Sequence, residues 1–466
     1  MERSSNTISI RGRDMLVIHN FKFSQQKVLK TGEVFWRCTK KGTCKAKVFT
    51  VGPDNLIVRS HLQHNHEADE KTLNRQKIAS ACKRKAIEDI AERPAKIIRN
   101  ELKKNLPETI TSGDIRYITK NIYNARRKVL PGSIPKNIVE VHNVIDSLDI
   151  STNKNENFVF INDEINNIIV FSCETNLRNL CEMESIYMDG TFSYCTKYFY
   201  QFFTIHGLKN GHYIPLVFAL LPDKREETYK KLFEVLRNKI RERYLIELKP
   251  LHVFVDFEKA IHSAVKYVWS ATKIHGCRFH LHQAWFRKVQ NLGLVNEFRN
   301  RDSSIGKWLK YCFGLTYLNP QEVGEFFALE LWEEKPRFCD ATDKFADYLV
   351  ENYIDENSMF PPQIWATTKI THTLTTNACE SFHSRFNGSF YSTHPSIYIF
   401  IEKLKEFQID TYIKLQSVTV PAKIKDFTTK RKLNAITQLY EQLSSKQITT
   451  LQFVKCISHY SSLEKS

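Results

Sequence analysis

Four residues near the start of the chain have the types and spacing of a closed metal site: Cys38-x5-Cys44, then nineteen residues, then His64-x-His66. Two thiolates and two imidazoles complete a tetrahedral shell, which is how structural Zn²⁺ is held. His64 and His66 alternate by two, so on an extended strand both side chains point to one face. A second set offers acid chemistry. Asp189 ends the apolar run SIYMD, and Asp256 ends HVFVD. Acids at strand ends lie at the rim of a sheet, and two on adjacent strands can share Mg²⁺ while leaving water positions open. Glu380, in TTNACESFHSRF, is the candidate third acid.

These residues need elements to position them. Residues 1–12 read as a polar tail. Across 13–66 the text MLVIHNFKF, GEVFWRC, CKAKVFTV and LIVRSHL predicts four short strands, separated by the turn signals TG, KKGT and GPDN. Four strands in so few residues cannot bury a sufficient core, so a metal staple is expected. Residues 67–140 switch to Lys/Arg-rich helical text, punctuated by Pro94 and Pro107 and closed by PGSIP.

From 141 to 300 the segments SIYMDGTF, YFYQFFTIHGLKNGHYIPLVFALLP, EETYKKLFEVLRNKI and LHVFVDFEKA predict three paired strands, a helix and a fourth strand. A helical stretch over 301–370 follows. The segment 371–410 carries a helix starting near Thr376, with Ala378, Phe382 and Phe386 on one face and Glu380, His383 and Asn387 on the other. Amphipathic helices over 411–466 end the chain. The order strand-Asp, three strands, helix, strand-Asp, helical stretch, helix-Glu is the layout of an RNase H-like nuclease with an insertion before its last acid. The expected fold is therefore multidomain: a small zinc-bound antiparallel β module, a basic helical linker domain, and an α/β RNase H-like domain with a helical insertion.

Composition narrows the partners. The 466 residues carry 68 Lys+Arg against 51 Asp+Glu, and 31 Phe, 19 Tyr and 6 Trp supply ample core material. Residues 1–140 hold 29 basic and 14 acidic residues, a net +15, and the remainder is close to neutral at +2. That split predicts a polyanion-binding module ahead of a domain with other work. Lys40, Lys41, Lys45 and Lys47 crowd the Cys loop, where they would meet phosphates at a salt-dependent energy. The longest apolar stretch, Tyr213–Leu221, is far below the roughly 18 residues of a membrane span. No apolar leader opens the sequence, and the eleven cysteines lack CxxC pairs. Reduced thiols in a soluble intracellular protein are expected.

The text NFKF…GEVFWRC…GTCKAKV…HNH resembles the FLYWCH zinc-finger family, which implies a zinc-pinned sheet that binds DNA or a partner protein. YMDGTF, YQFFTIHGLKNGHYIPLVFALLPDK, FVDFEKA, GCRFHLHQA and TTNACESFHSRFN closely resemble the Mutator-like (MULE) transposases. That resemblance implies a nuclear DDE transposase. Asp189, Asp256 and Glu380 would hold Mg²⁺ or Mn²⁺ for phosphodiester cleavage and strand transfer. Transposon terminal repeats and target DNA would be its substrates, and joining two ends implies a homo-oligomer. A domesticated, non-catalytic DNA-binding transcriptional regulator is the alternative. Cys277-x2-His280 matches an auxiliary Cys–His motif of this superfamily. As a second zinc site H-x-C-x2-H-x-H would overcrowd one segment, so a packing or DNA-end role is expected there. Trp285 and Trp365 are candidates for stacking on an unpaired base, with burial in a helical core as the alternative. Lys197, Lys209, Lys224, Arg225 and Arg278 are candidate phosphate contacts.

Overall fold

The computed structural model describes residues 5–8, 14–40, 42–337, 339–368, 377–422 and 427–460. They divide into two compact units, Met1–Ser133 and Ile134–Ser466. No helix among the described residues is long and apolar enough to cross a membrane.

The first unit opens with six antiparallel strands paired in chain order: β1 (Ser5–Ile8), β2 (Asp14–Ile18), β3 (Phe21–Val28), β4 (Val34–Cys38), β5 (Lys47–Val51) and β6 (Leu56–His61). Two of these depart from expectation. The run MLVIHNFKF is a hairpin rather than one strand. His19 and Asn20 both have positive φ (49° and 64°), and Ile18 pairs with Phe21 across them. Asn tolerates that conformation at a two-residue turn, but His gives no turn signal, so the run reads as continuous. Residues 5–8 of the expected polar tail pair with β2, because backbone hydrogen bonds need no apolar side chains. The sheet buries only a small cluster, including Leu16, Phe23, Trp36, Ala46 and Val48, with Cys38 and Cys44 among them.

Three helices follow, Glu70–Glu88, Pro94–Leu102 and Ser112–Val129. Pro94 sits in the first turn of the second, where its missing N–H costs nothing. A reciprocal Thr111–Asp114 capping box starts the third. Ile78, Cys82, Ile97, Ile118 and Ile122 form their shared core.

The second unit holds a seven-stranded mixed sheet made of β7 (Val159–Asp163), β8 (Ile168–Phe171), β9 (Ser185–Thr191), β10 (Gln201–Lys209), β11 (His212–Leu221), β12 (His252–Val255) and β13 (Lys273–Gly276). The spatial order is β13-β12-β9-β10-β11-β8-β7. β9, β10 and β11 form an antiparallel meander, while β12 and β13 run parallel to β9 on its other side. The helices Glu226–Tyr244 and Lys259–Val268 return the chain to those parallel strands. They bury Leu232, Phe233, Leu236, Ala264 and Val265 against Ile186, Met188 and Val253 on one face of the sheet.

The opposite face is covered by the helices Asn377–Ser389 and Ile397–Ser417, with Phe386 against Phe202 and Phe400. The boundary expected at 410 falls inside that last helix. Its buried positions, Leu404, Gln408, Thr411 and Tyr412, continue at helical spacing across it. The boundary expected at 140 similarly falls inside the helix Ile138–Ser147. A second core gathers the region expected as an insertion. It begins before residue 301, at Leu281 and Trp285, and is completed by Ile436, Phe453, Val454 and Ile457 from the C-terminal helices.

Candidate functional site

The four finger residues converge. Cys38 ends β4, Cys44 follows the loop after it, and His64 and His66 lie just beyond β6. Cys38 Sγ is 3.3 Å from His66 Nε2, Cys44 Sγ is 3.3 Å from His64 Nδ1, and those two ring nitrogens are 3.3 Å apart. A tetrahedral ion with bonds of roughly 2.0–2.3 Å sets its ligand atoms about 3.3–3.8 Å apart. All four donors therefore fit one zinc ion, and all lie within 4.8 Å of one another. Around them, Phe21 stacks on the His64 ring and the Glu67 carbonyl lies 2.9 Å from His66 Nδ1, fixing both imidazoles. Lys40, Lys45 and Lys47 are exposed, and Lys45 and Lys47 alternate with the buried Cys44, Ala46 and Val48. Lys41 lies outside the described residues.

Strand periodicity explains the acids. Tyr187 and Asp189 share one face of β9, and Phe254 and Asp256 share the corresponding face at β12. The Tyr187 and Phe254 rings stack at 4.4 Å, with Cys379 buried against them. One step further along each element come Asp189, Asp256 and Glu380. The parallel register pairs Phe254 with Tyr187, and Asp256 lies two residues further, just past the end of β12, where the charge of Asp189 acts on it. Asp189 and Glu380 line one cavity of about 560 Å³, together with Tyr194, His280, His383 and Asn387.

The electrostatics are those of crowded carboxylates. Burial, with the like charges of Glu258 and Asp189, raises Asp256 to about 7 against the opposing pull of His280. Burial also raises Glu380, reinforced by Asp189 and opposed by His280 and His383. Its buried Oε1 accepts no hydrogen bond among the described residues, although His280 Nε2 lies 3.2 Å away. Burial works against a charged His280, but the adjacent Cys277 and the carboxylates of Asp189 and Glu380 outweigh it and raise it to about 9. A hard divalent cation would relieve this repulsion, so the oxygen donors fit Mg²⁺ or Mn²⁺.

Other residues support the acids in ways the sequence did not announce. His383 is buried and reaches Asp189 Oδ2 through Nδ1 at 3.2 Å. Its Nε2 lies 2.9 Å from Thr204 Oγ1, which is 3.0 Å from His206 Nε2. Burial keeps His206 neutral, far below the usual histidine range. A consistent chain follows: His206 N–H donates to Thr204, Thr204 O–H donates to His383, and His383 N–H donates to Asp189. The Gly190 N–H donates to the other Asp189 oxygen at 2.9 Å. The helix face differs from expectation in two respects: Cys379, rather than Ala378, joins Phe382 and Phe386 in the core, and His383, expected on the opposite face, is buried as well.

Several other candidates resolve differently. Trp285 and Trp365 are 0 % and 3 % exposed and pack edge to face in the helical core, which excludes base stacking on their rings in this structure. Glu258 precedes the helix Lys259–Val268 without capping it through its side chain, and pairs with Lys224 at 2.8 Å. Arg225 pairs with Asp223, Lys209 with Glu182, and Arg278 lies over the Tyr317 ring. Lys197 lies over the Tyr198 ring. Cys277 and His280 do not merely pack: their donor atoms and a Glu380 oxygen form a second cluster within 4.8 Å.

Comparison with known families finds two domains. Residues 7–66 match the FLYWCH zinc finger domain, a span that contains all four zinc-site residues. Residues 185–284 match the MULE transposase domain, which includes Asp189, Asp256, Cys277 and His280 and stops short of Glu380. No curated protein matches the chain. The chain thus carries a FLYWCH zinc finger domain followed by a MULE transposase domain.

Proposed function

We propose that this protein is a DNA transposase whose sheet-bearing unit is RNase H-like and uses Asp189, Asp256 and Glu380 as a DDE triad. The observation that carries the reading is the closeness of the acids: Asp189 and Glu380 line one cavity with His280, and both Asp189 and His280 act electrostatically on Asp256, just beyond β12. The order β13-β12-β9-β10-β11, a meander flanked by two parallel strands, supports the fold. Divalent ions held by these acids would activate a water or 3′-hydroxyl and steady the leaving oxygen in an in-line phosphodiester displacement. The chain's own residues arrange the site. His383 and the Gly190 N–H fix the Asp189 carboxylate, and the Tyr187–Phe254–Cys379 layer holds the three elements at one level.

In this reading the finger and the basic helices bind transposon-end DNA in the nucleus. Lys40, Lys45, Lys47 and Lys41 would contact phosphates, and two ends would be joined to target DNA by a homo-oligomer. The test uses labelled DNA from inverted repeats flanking the gene, with Mg²⁺ or Mn²⁺. Wild-type protein should cleave it, and the triple variant Asp189→Ala, Asp256→Ala, Glu380→Ala should bind without cleaving. Equal binding and no cleavage by either protein would replace the enzyme with the non-catalytic regulator.

A further inference from the structure

We propose that Cys277, His280 and Glu380 form a second transition-metal centre, separate from the finger, whose favoured occupant is Zn²⁺ with a fourth position left to water. The inference goes beyond DNA cleavage and stands whether or not the domain cuts DNA, although Glu380 belongs to both sites.

The geometry is built from two helix starts and a strand end. Cys277 follows β13 directly and is fully buried, its N–H donating to the Val255 carbonyl at 2.7 Å. It is the N-cap residue of the helix Arg278–Asn291, and His280 lies in that helix's first turn. The i, i+3 spacing therefore brings sulfur and imidazole to the same side. Glu380 comes from the first turn of another helix, Asn377–Ser389.

The three donor atoms lie within 4.8 Å of one another, and His280 Nε2 stands 3.2 Å from Glu380 Oε1. That spacing is already close to the ligand separation in the finger. Glu380 Oε1 is buried and accepts no hydrogen bond among the described residues. Its 3.2 Å approach to His280 is that of an ion pair when the imidazole is protonated, and it is also the spacing that two ligands keep across an ion. Just before Cys277, a Cβ on Gly276 would fall 2.2 Å from Phe257 Cζ, so the glycine lets the Phe257 ring lie against the end of β13.

Donor chemistry selects the ion. One thiolate and one imidazole are too soft for magnesium, and three protein ligands with an open fourth position are a common zinc arrangement. The overcrowding expected of His275, Cys277, His280 and His282 does not arise, because the ligands do not all come from that segment. His275 lies against His252 and Phe254, and His282 is buried in the helical core. The third ligand arrives from a hundred residues downstream.

The test is metal stoichiometry on the full-length protein, reloaded with zinc and passed through gel filtration. Wild type should retain two zinc ions per chain, and Cys38→Ser, Cys277→Ser and Glu380→Gln about one each. Glu380→Gln keeps the side chain's shape at a half-buried position, so it reads the site even where Cys277→Ser folds poorly. Cobalt gives an independent readout. A Cys38→Ser, Cys44→Ser protein should still show a thiolate-to-cobalt charge-transfer band, and adding Cys277→Ser should abolish it. One zinc ion in wild type, all of it lost in Cys38→Ser, with no cobalt–thiolate band in the finger variant, would overturn the proposal. Magnesium-dependent cleavage would be unaffected by that result, so the two readings fail separately.

Discussion

The finger and the acid-bearing sheet both gather candidate metal-ligating side chains, but they do so by opposite routes. In the finger the donors fall within residues 38–66, and two of them, Cys38 and Cys44, are almost fully buried members of the small core. In the sheet unit the acids span residues 189–380 and rest on a core that is complete without them, led by the Tyr187–Phe254–Cys379 layer. A closed N/S shell in a small sheet acts as the core. Carboxylates on a large sheet gain their positions from the core and contribute repulsion to it, as the raised Asp256 shows.

The largest effect expected from this contrast is on the finger. Chelation or Cys38→Ser should unfold residues 14–66, because structural zinc contributes about 10–16 kcal/mol to such modules. Hydrogen exchange on the full chain should show protection lost in β2–β6 and unchanged in β9–β12. Protection lost in both would break the distinction. The reverse experiment is Phe386→Ala. Phe386 is fully buried against Phe202, Phe400 and Phe407, so truncation should cost about 3–5 kcal/mol in the second unit and leave the finger's exchange untouched.

A smaller effect tests the sheet unit through pH. Despite burial, which acts against it, the hydrogen bonds of Glu156 with Tyr412 and Thr175 hold its carboxyl below the usual glutamate range. A depressed acid stabilises the fold above its unfolded value near about 4.3 and loses that contribution as pH falls through the folded value. Glu156→Gln should therefore lower stability by about 1.5–3 kcal/mol at pH 7 and by progressively less below about pH 4. A pH-independent difference in denaturant melts would contradict this assignment. Last, His383→Ala should reduce metal-dependent cleavage by roughly 10- to 100-fold through loss of Asp189 orientation. His383→Gln should recover part of it. Equal activity in both variants and wild type would remove His383 from the support of the site.

Local spacing made the finger legible. Cys38, Cys44, His64 and His66 lie close in sequence, although the two histidines sit beyond β6 and not on the strand that their alternation suggests. The aspartates were a weaker signal, because an apolar run stopping at an acid is common in α/β folds and only the order of the elements made the pair specific. Glu380 was readable from its resemblance to transposase text, since nothing in TTNACESFHSRF alone ties it to Asp189. The His383–Thr204–His206 chain was out of reach, because its members come from a strand and a helix about 180 residues apart. Trp285 and Trp365 show the same limit: their partners in the second core come from distant helices, and only those partners distinguish a buried ring from one free to stack. The His19–Asn20 turn was missed because left-handed backbone at His has no compositional mark.

The central claim is that Asp189, Asp256 and Glu380 act as one unit in cutting DNA. The most direct measurement is the Mn²⁺-dependent cleavage rate of end DNA by Asp189→Asn, Asp256→Asn and Glu380→Gln, each alone and all together. Residues that act as a unit are non-additive, so each single variant should be as inactive as the triple, roughly 10⁴-fold or more below wild type. DNA affinity should remain that of wild type in all four variants. Any one of the three retaining a rate within about tenfold of wild type would contradict the account.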